Sequence, residues 1–322
     1  SRPKVVVDYF ITMPEVQAIY ARGLGHASVR LKAGLDADLK VVPDESFGAA
    51  VQYFTGDKQH NVHVRTVAIK KGYKLNEFGL FSARGGLRST SGRGSKPIAC
   101  RTEEEIYKKL GMDLMPPEMR TDTGEVEAAM AHKLPNLVLY DSVKGDLQTT
   151  TNWTDGAKSI KEMALYAKKL GLEYIAITDH TKALAMTGGL DERGLLKQGN
   201  EIDKVNKEVL GIRVLKSAEV NILKDGSLDI SDEALAKLEV VGAAVHTNFN
   251  MPESEMTERI IRAMKNPNVD IIFHPTGRLL GRREPYKVNM AKIVAAAKAT
   301  GTVLEIDAFP DRMDLCAEHV RM

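Results

Sequence analysis

The chain has 322 residues, 43% of them hydrophobic, enough for two domains or one large one with a sizeable buried core. The net charge is +2, no apolar run approaches the ~18–20 residues of a membrane-spanning helix, and nothing at the start resembles a signal peptide. The two cysteines, Cys100 and Cys316, lie far apart, which excludes a disulfide framework and suits a reducing, cytoplasmic setting.

The charge is unevenly spread. Residues 1–140 carry 20 Lys+Arg against 16 Asp+Glu, giving +4, and residues 141–322 carry 25 against 27, giving −2. A basic first part beside an acidic part with clustered His suggests a polyanion-binding half and a metal half. The chain begins without Met and ends inside a helical pattern, so a fragment of a longer protein is expected.

In chain order, residues 4–10, 29–31 and 37–42 read as strands. Residues 45–54 read as a helix ending at Thr55-Gly56, and residues 59–72 as a second helix closed by Gly72. Residues 81–101 hold four glycines, five positive charges and no acid. That composition fits a basic loop or hairpin for a phosphate backbone, or a solvated linker. Thr102 and Glu105 then open a helix as a capping box. Tyr53-Phe54-Thr55-Gly56 pairs an aromatic wall with a tight Gly turn. Alone, that is also an ordinary helix stop.

From residue 141 the pattern changes. Apolar runs recur at 146–150, 174–178, 214–218, 240–245, 270–273 and 302–306, mostly separated by helical periodicity. Ile160, Met163, Ala164 and Ala167 share one face, as do Met290, Ile293, Val294 and Ala297 before Gly301. This alternation predicts an α/β fold with a parallel sheet or barrel. The runs lead into Asp179-His180, Glu219, His246, His274 and Glu305. A single strand-end His packs or caps in most proteins. Three His and a Glu at equivalent ends point instead to Zn²⁺ or Mn²⁺.

The stretch from Asp38-Leu39-Lys40-Val41-Val42-Pro43 through Tyr53-Phe54-Thr55-Gly56, Asn61, Arg65 and residues 103–120 resembles the palm and thumb of family X DNA polymerases. Ile175-Ala176-Ile177-Thr178-Asp179-His180, Ser217-Ala218-Glu219-Val220, Ala244-Val245-His246 and residues 274–283 resemble the PHP phosphoesterase domain carried by bacterial and archaeal members. Together the two resemblances cover essentially the whole chain, in the family's order. They imply an α+β palm/thumb portion followed by a distorted (βα)₇ PHP barrel lacking its last strand. The implied divisions are palm 1–80, thumb 81–140 and PHP barrel 141–322.

The resemblance also implies roles. Asp38 would be a catalytic carboxylate of a Mg²⁺ site. Tyr53, Phe54, Gly56, Asn61 and Arg65 would contact the nucleotide. Asp155, His180, Glu219, His246 and His274 would bind metal, with Lys182, Arg278 and Arg283 as phosphate contacts. The partners implied are gapped or primer–template DNA and dNTP, for a monomer that fills gaps in repair. Two polymerase carboxylates have no counterpart here. Gln148 and Thr150 stand where the PHP family has two His. The expectation is therefore a chain that cannot polymerise by itself and carries a weakened or inactive 3′–5′ nuclease. A phosphoesterase proper and a non-catalytic DNA-binding scaffold are the alternatives. His26, His60, His63, His132 and His319 are expected to be surface or structural, and Trp153 to pack near the barrel opening.

Overall fold

A computed structural model describes residues 3–83 and 96–322. Most of the basic stretch expected at 81–101 therefore lies outside the described residues. The chain divides into two compact units, Ser1–Leu137 and Val138–Met322.

The first unit opens with helix α1 (Pro3–Ile11), where the sequence reading expected a strand at 4–10. Its run of Val suits a strand locally. However, Val7 and Ile11 stand four apart and both bury on Ala27 and Val29, so one apolar face decides the helix. Pro3 at the start also suits a first helical turn. Below α1 lies an antiparallel sheet of β1 (Val16–Arg22), β2 (His26–Leu31) and β3 (Asp36–Lys40), in that order. Strand β3 alternates cleanly: Ala37 and Leu39 pack toward α1, and Asp36, Asp38 and Lys40 are exposed.

Helices α2 (Phe47–Thr55) and α3 (Lys58–Lys70) follow, then the hairpin β4 (Tyr73–Asn76) and β5 (Gly79–Ser82), α4 (Glu103–Lys109) and α5 (Glu125–Met130). They share a core that includes Val64, Leu80, Ile106, Leu110, Met115 and Val126. Thr102 caps α4 by accepting from Glu105 N at 3.2 Å. The reciprocal bond of a full capping box is displaced by one residue, since Glu105 Oε2 accepts from Arg101 N at 3.2 Å. His60 is fully buried between Glu125 (2.8 Å) and the Tyr107 hydroxyl (3.0 Å).

In the second unit, six strands form one sheet: β6 (Gly145–Thr149), β7 (Tyr174–Ile177), β8 (Arg213–Asn221), β9 (Val240–Ala244), β10 (Ile271–Ile272) and β11 (Val303–Leu304). Each run expected from the sequence supplies one strand, every neighbouring pair is parallel, and spatial order follows chain order. Parallel neighbours need crossovers. These include α6 (Ile160–Lys169), α7 (Glu192–Glu208), α8 (Asp232–Leu235), α9 (Glu253–Met264) and α10 (Met290–Thr300), with α11 (Ala317–Arg321) after the last strand. Helix α6 starts with a complete Ser159–Glu162 capping box, and α10 ends at Gly301 with φ +81°. Gly242 sits mid-strand because a Cβ there would lie 1.9 Å from the Phe273 ring. The consequence for function is directional: all six carboxyl ends face the same way, so the loops that follow them gather at one edge.

Candidate metal centre

Glu219 organises that edge. It lies on β8 and is buried, with 3% of its surface exposed. Its Oε1 faces His246 Nε2 at 3.0 Å and His274 Nε2 at 2.9 Å. Its Oε2 faces His180 Nδ1 at 3.8 Å and Gln148 Nε2 at 3.5 Å. Asp155, half exposed on the loop after β6, reaches His180 Nε2 at 3.7 Å. The structure thus brings Asp155, His180, Glu219, His246 and His274 to one place. Gln148 offers Glu219 an amide rather than an imidazole, as expected from the sequence. Thr150 follows the end of β6, half-buried.

These residues fit a divalent cation. One atom from each of His180, Glu219 and His246 lies within 4.8 Å of the others. Ligands at about 2.1 Å from a tetrahedral ion stand roughly 3.4 Å apart, so small shifts would close the shell. The His180 contacts are too long for hydrogen bonds. His180 Nδ1 and His274 Nδ1 are buried without a hydrogen-bond partner among the described residues. Burial pushes Glu219 up, but the hydrogen bonds of His246 and His274 outweigh it and hold the carboxyl below its ordinary range. Burial pushes the His246 imidazole below its ordinary value, partly offset by Glu219.

Supporting residues that the sequence reading missed orient this set. The Asn221 amide nitrogen donates to Asp229 Oδ2 (2.9 Å) and Thr181 O (3.2 Å), so its Oδ1 turns to His246 Nδ1 at 2.7 Å. His246 then carries a proton on Nδ1: in the imidazolium form its Nε2 donates to Glu219 Oε1, the contact that lowers Glu219, and in the neutral form Nε2 turns a lone pair toward that oxygen and is free for a cation. The signal was present: Asn221 follows Glu219 by two residues on one strand and shares its face. Asp179 is saturated by Thr151 N (2.7 Å), Thr151 Oγ1 (2.5 Å), Thr154 Oγ1 (2.6 Å) and Gln198 Nε2 (2.7 Å), so it fastens the loop after β6 to α7. Glu305 accepts from His274 N at 2.7 Å, and burial raises its carboxyl to about 7. Trp153 donates to Glu201 at 3.1 Å on the same loop.

Two of the three phosphate candidates are committed elsewhere. Lys182 pairs with Glu192 at 2.7 Å. Arg278 is spent on the carbonyls of Arg312 (3.0 Å) and Met313. Among the described residues Arg283 donates from Nε alone, to Gly277 O at 2.7 Å, and lies 4.4 Å over the Phe249 ring.

In the first unit, Gly56 closes α2 at φ +77°. Tyr53 and Phe54 meet edge to face at 5.0 Å, and Arg65 lies 5.3 Å over Tyr53. Phe54 is exposed, but Asn61 is buried and bound to Gln52 (2.9 Å) and Tyr53 O (2.7 Å). Its amide braces α2 against α3. Asp38 accepts a hydrogen bond from Ser28 on the open sheet face, and its neighbour Asp36 pairs with Arg30 at 2.9 Å. A single carboxylate held by Ser28 does not by itself make a Mg²⁺ site.

The DNA polymerase beta thumb model matches residues 50–121, beginning within the 1–80 segment assigned to the palm from sequence. The DNA polymerase/3′-5′ exonuclease PolX of Bacillus subtilis is 37% identical over 322 residues, 99% of this chain and 55% of its own length. A probable phosphatase of Thermoanaerobacter sp. (strain X514) is 35% identical over 153 residues, 46% of this chain and 58% of its own. The chain therefore spans little more than half the length of either relative. Leishmania infantum polymerase beta in a ternary gap complex aligns with a TM-score of 0.33 and 26% identity, over 37% of this chain and 50% of that one, too weak a likeness to bear on the fold. With a polymerase beta thumb match in its first unit, a polymerase relative along its whole length and phosphatase relatives over its C-terminal half, the chain is similar to the family X DNA polymerases.

Proposed function

We propose that this chain is the palm-to-PHP portion of a gap-filling family X DNA polymerase and that its second unit is a PHP-type barrel with a metal-dependent 3′–5′ phosphodiesterase centre. The observation that carries the second claim is Glu219 ringed by His180, His246 and His274 at the carboxyl ends of parallel strands. The names of the Bacillus and Thermoanaerobacter relatives, an exonuclease and a phosphatase, support the same reading. Glu219, His246, His180 and His274 would hold the ion, Zn²⁺ or Mn²⁺ by donor type. A bound ion would supply an activated water and neutralise phosphate charge. The protein's part is to keep His246 in the tautomer that offers Nε2, through Asn221, and to keep Glu219 anionic. Gln148 weakens the Asp155–His180 side, because an amide that donates to Glu219 Oε2 occupies that oxygen without ligating. One tight ion and slow hydrolysis follow.

The first unit would grip DNA and dNTP through Tyr53, Phe54 and Arg65 without completing nucleotidyl transfer. Elemental analysis of the purified chain beside Glu219→Ala tests the centre. About one Zn or Mn per chain, lost in the variant, is expected. No metal in the wild-type chain would leave only a DNA-binding scaffold, and fast degradation of 3′ ends with Mn²⁺ would make the phosphoesterase reading primary.

A further inference from the structure

A cleft of about 1160 Å³ lies among the loops of the second unit, formed by residues 248–252 after β9 and 283–287 after β10, with Lys224 from the loop after β8. It hangs on the same loops as the metal centre. Phe249 follows His246 by three residues. Arg283 Nε donates to Gly277 O at 2.7 Å, and Gly277 N donates to His274 O at 2.9 Å. Tyr286 is locked by its hydroxyl on Pro275 O (2.7 Å) and its N–H on Thr276 O (3.0 Å). Phe249 and Tyr286 run parallel, 12° apart with centroids at 6.2 Å, and the Arg283 guanidinium lies over the Phe249 ring.

The wall is therefore aromatic and stiff, and the rim is cationic. Lys224 and Lys287 line it, and neither has an ion pair or side-chain hydrogen bond among the described residues. Glu255 and Glu284 leave the three cations in excess. The volume exceeds what a single small ligand of about 300–1,000 Å³ needs. Nothing in the Glu219 centre uses any of these side chains.

We propose that this cleft binds a single-stranded nucleic-acid segment next to the metal centre, with backbone phosphates on Arg283, Lys287 and Lys224 and a base against the exposed part of Phe249, which the buried Tyr286 backs. The proposal rests on reading the Glu219 centre as a phosphodiester-cleaving one. An enzyme acting at a strand end has to hold the strand beyond the bond it cuts. Cations that follow a backbone, beside aromatic faces, do so with little sequence preference. Of the three cations singled out from sequence, Arg283 alone keeps its terminal nitrogens for this, with Lys182 paired and Arg278 bound to carbonyls.

The test is hydrogen exchange of the full chain with and without a short oligothymidylate, in EDTA so that no metal bridges the two. Slower exchange is expected at residues 247–252 and 283–288. It should be lost in the Lys224→Gln/Lys287→Gln double variant, which spares the packed Arg283 and Phe249. The log–log salt dependence of affinity should flatten by about 1.4 in that variant, about 0.7 for each lost phosphate contact. Protection confined to other segments, or a variant with unchanged protection and slope, overturns the proposal. Metal content of the same preparation, measured before EDTA is added, separates the two readings. Failure of the centre would show as a chain without metal that still protects the cleft loops, and failure of the cleft as a metal-loaded chain that does not.

Discussion

Asn221 shows how much a single side chain decides. Its oxygen fixes the tautomer of His246, and its nitrogen is held by Asp229 and Thr181. Asn221→Ala should lower metal affinity by about 10–100-fold with the ligands intact. Competition against a chelator checks this, and an unchanged dissociation constant would remove Asn221 from the centre. His60 poses a different residue-scale question. Burial holds its imidazole below the ordinary value, and Glu125 beside it is also lowered, with burial opposed by the bonds from His60 and the Thr123 and Asp122 amides. Near pH 6.5 and below, the unfolded chain then binds more protons than the folded one. The stability of the first unit should be complete above that pH and fall as pH drops through the lowered His60 value, with Glu125 extending the loss further down. Urea midpoints across this range should fall less steeply in His60→Gln than in wild type; parallel curves would contradict the assignment.

At the scale of elements, helix α9 holds the loops that carry the site. Arg259 on α9 is buried, and its guanidinium donates to the carbonyls of Leu223 (2.9 Å), Ile222 and Thr247 (2.8 Å). One side chain thus clamps the segments just beyond β8 and β9, next to Asn221 and His246. Arg259→Leu keeps apolar bulk but strands three carbonyls. It should cost about 2–4 kcal/mol and loosen metal binding with it. Denaturant unfolding monitored beside metal release checks both, and a loss of stability with unchanged metal affinity would break the link. The same scale explains why α1 misled the sequence reading. Its Val run has strand character, and only its packing on Ala27 and Val29 selects the helix.

For the whole molecule, two units with separate cores carry different chemistry. The first presents Tyr53, Phe54 and Arg65, but among the described residues no group of three potential metal ligands includes Asp38. Supplied with Mg²⁺, dNTP and a gapped duplex, this chain alone should add no nucleotide. Primer extension on a gel checks this, and any template-directed product would refute it. Among the described residues no helix is long and apolar enough to cross a membrane.

By itself the sequence determined the six strands of the second unit and the ligand types at their ends. A parallel sheet built in chain order writes its strands as short apolar runs and its site as whatever polar residue follows each run. The tertiary structure alone decided which of those residues converge. It sent His180, His246 and His274 to Glu219, set Asp179 and Glu305 to holding loops, and turned Asn61 inward as a brace. It also decided which cations stay free, since Lys182 is ion-paired with Glu192 and Arg278 donates to carbonyls more than thirty residues away. Those outcomes depend on contacts between distant segments, which local pattern does not encode.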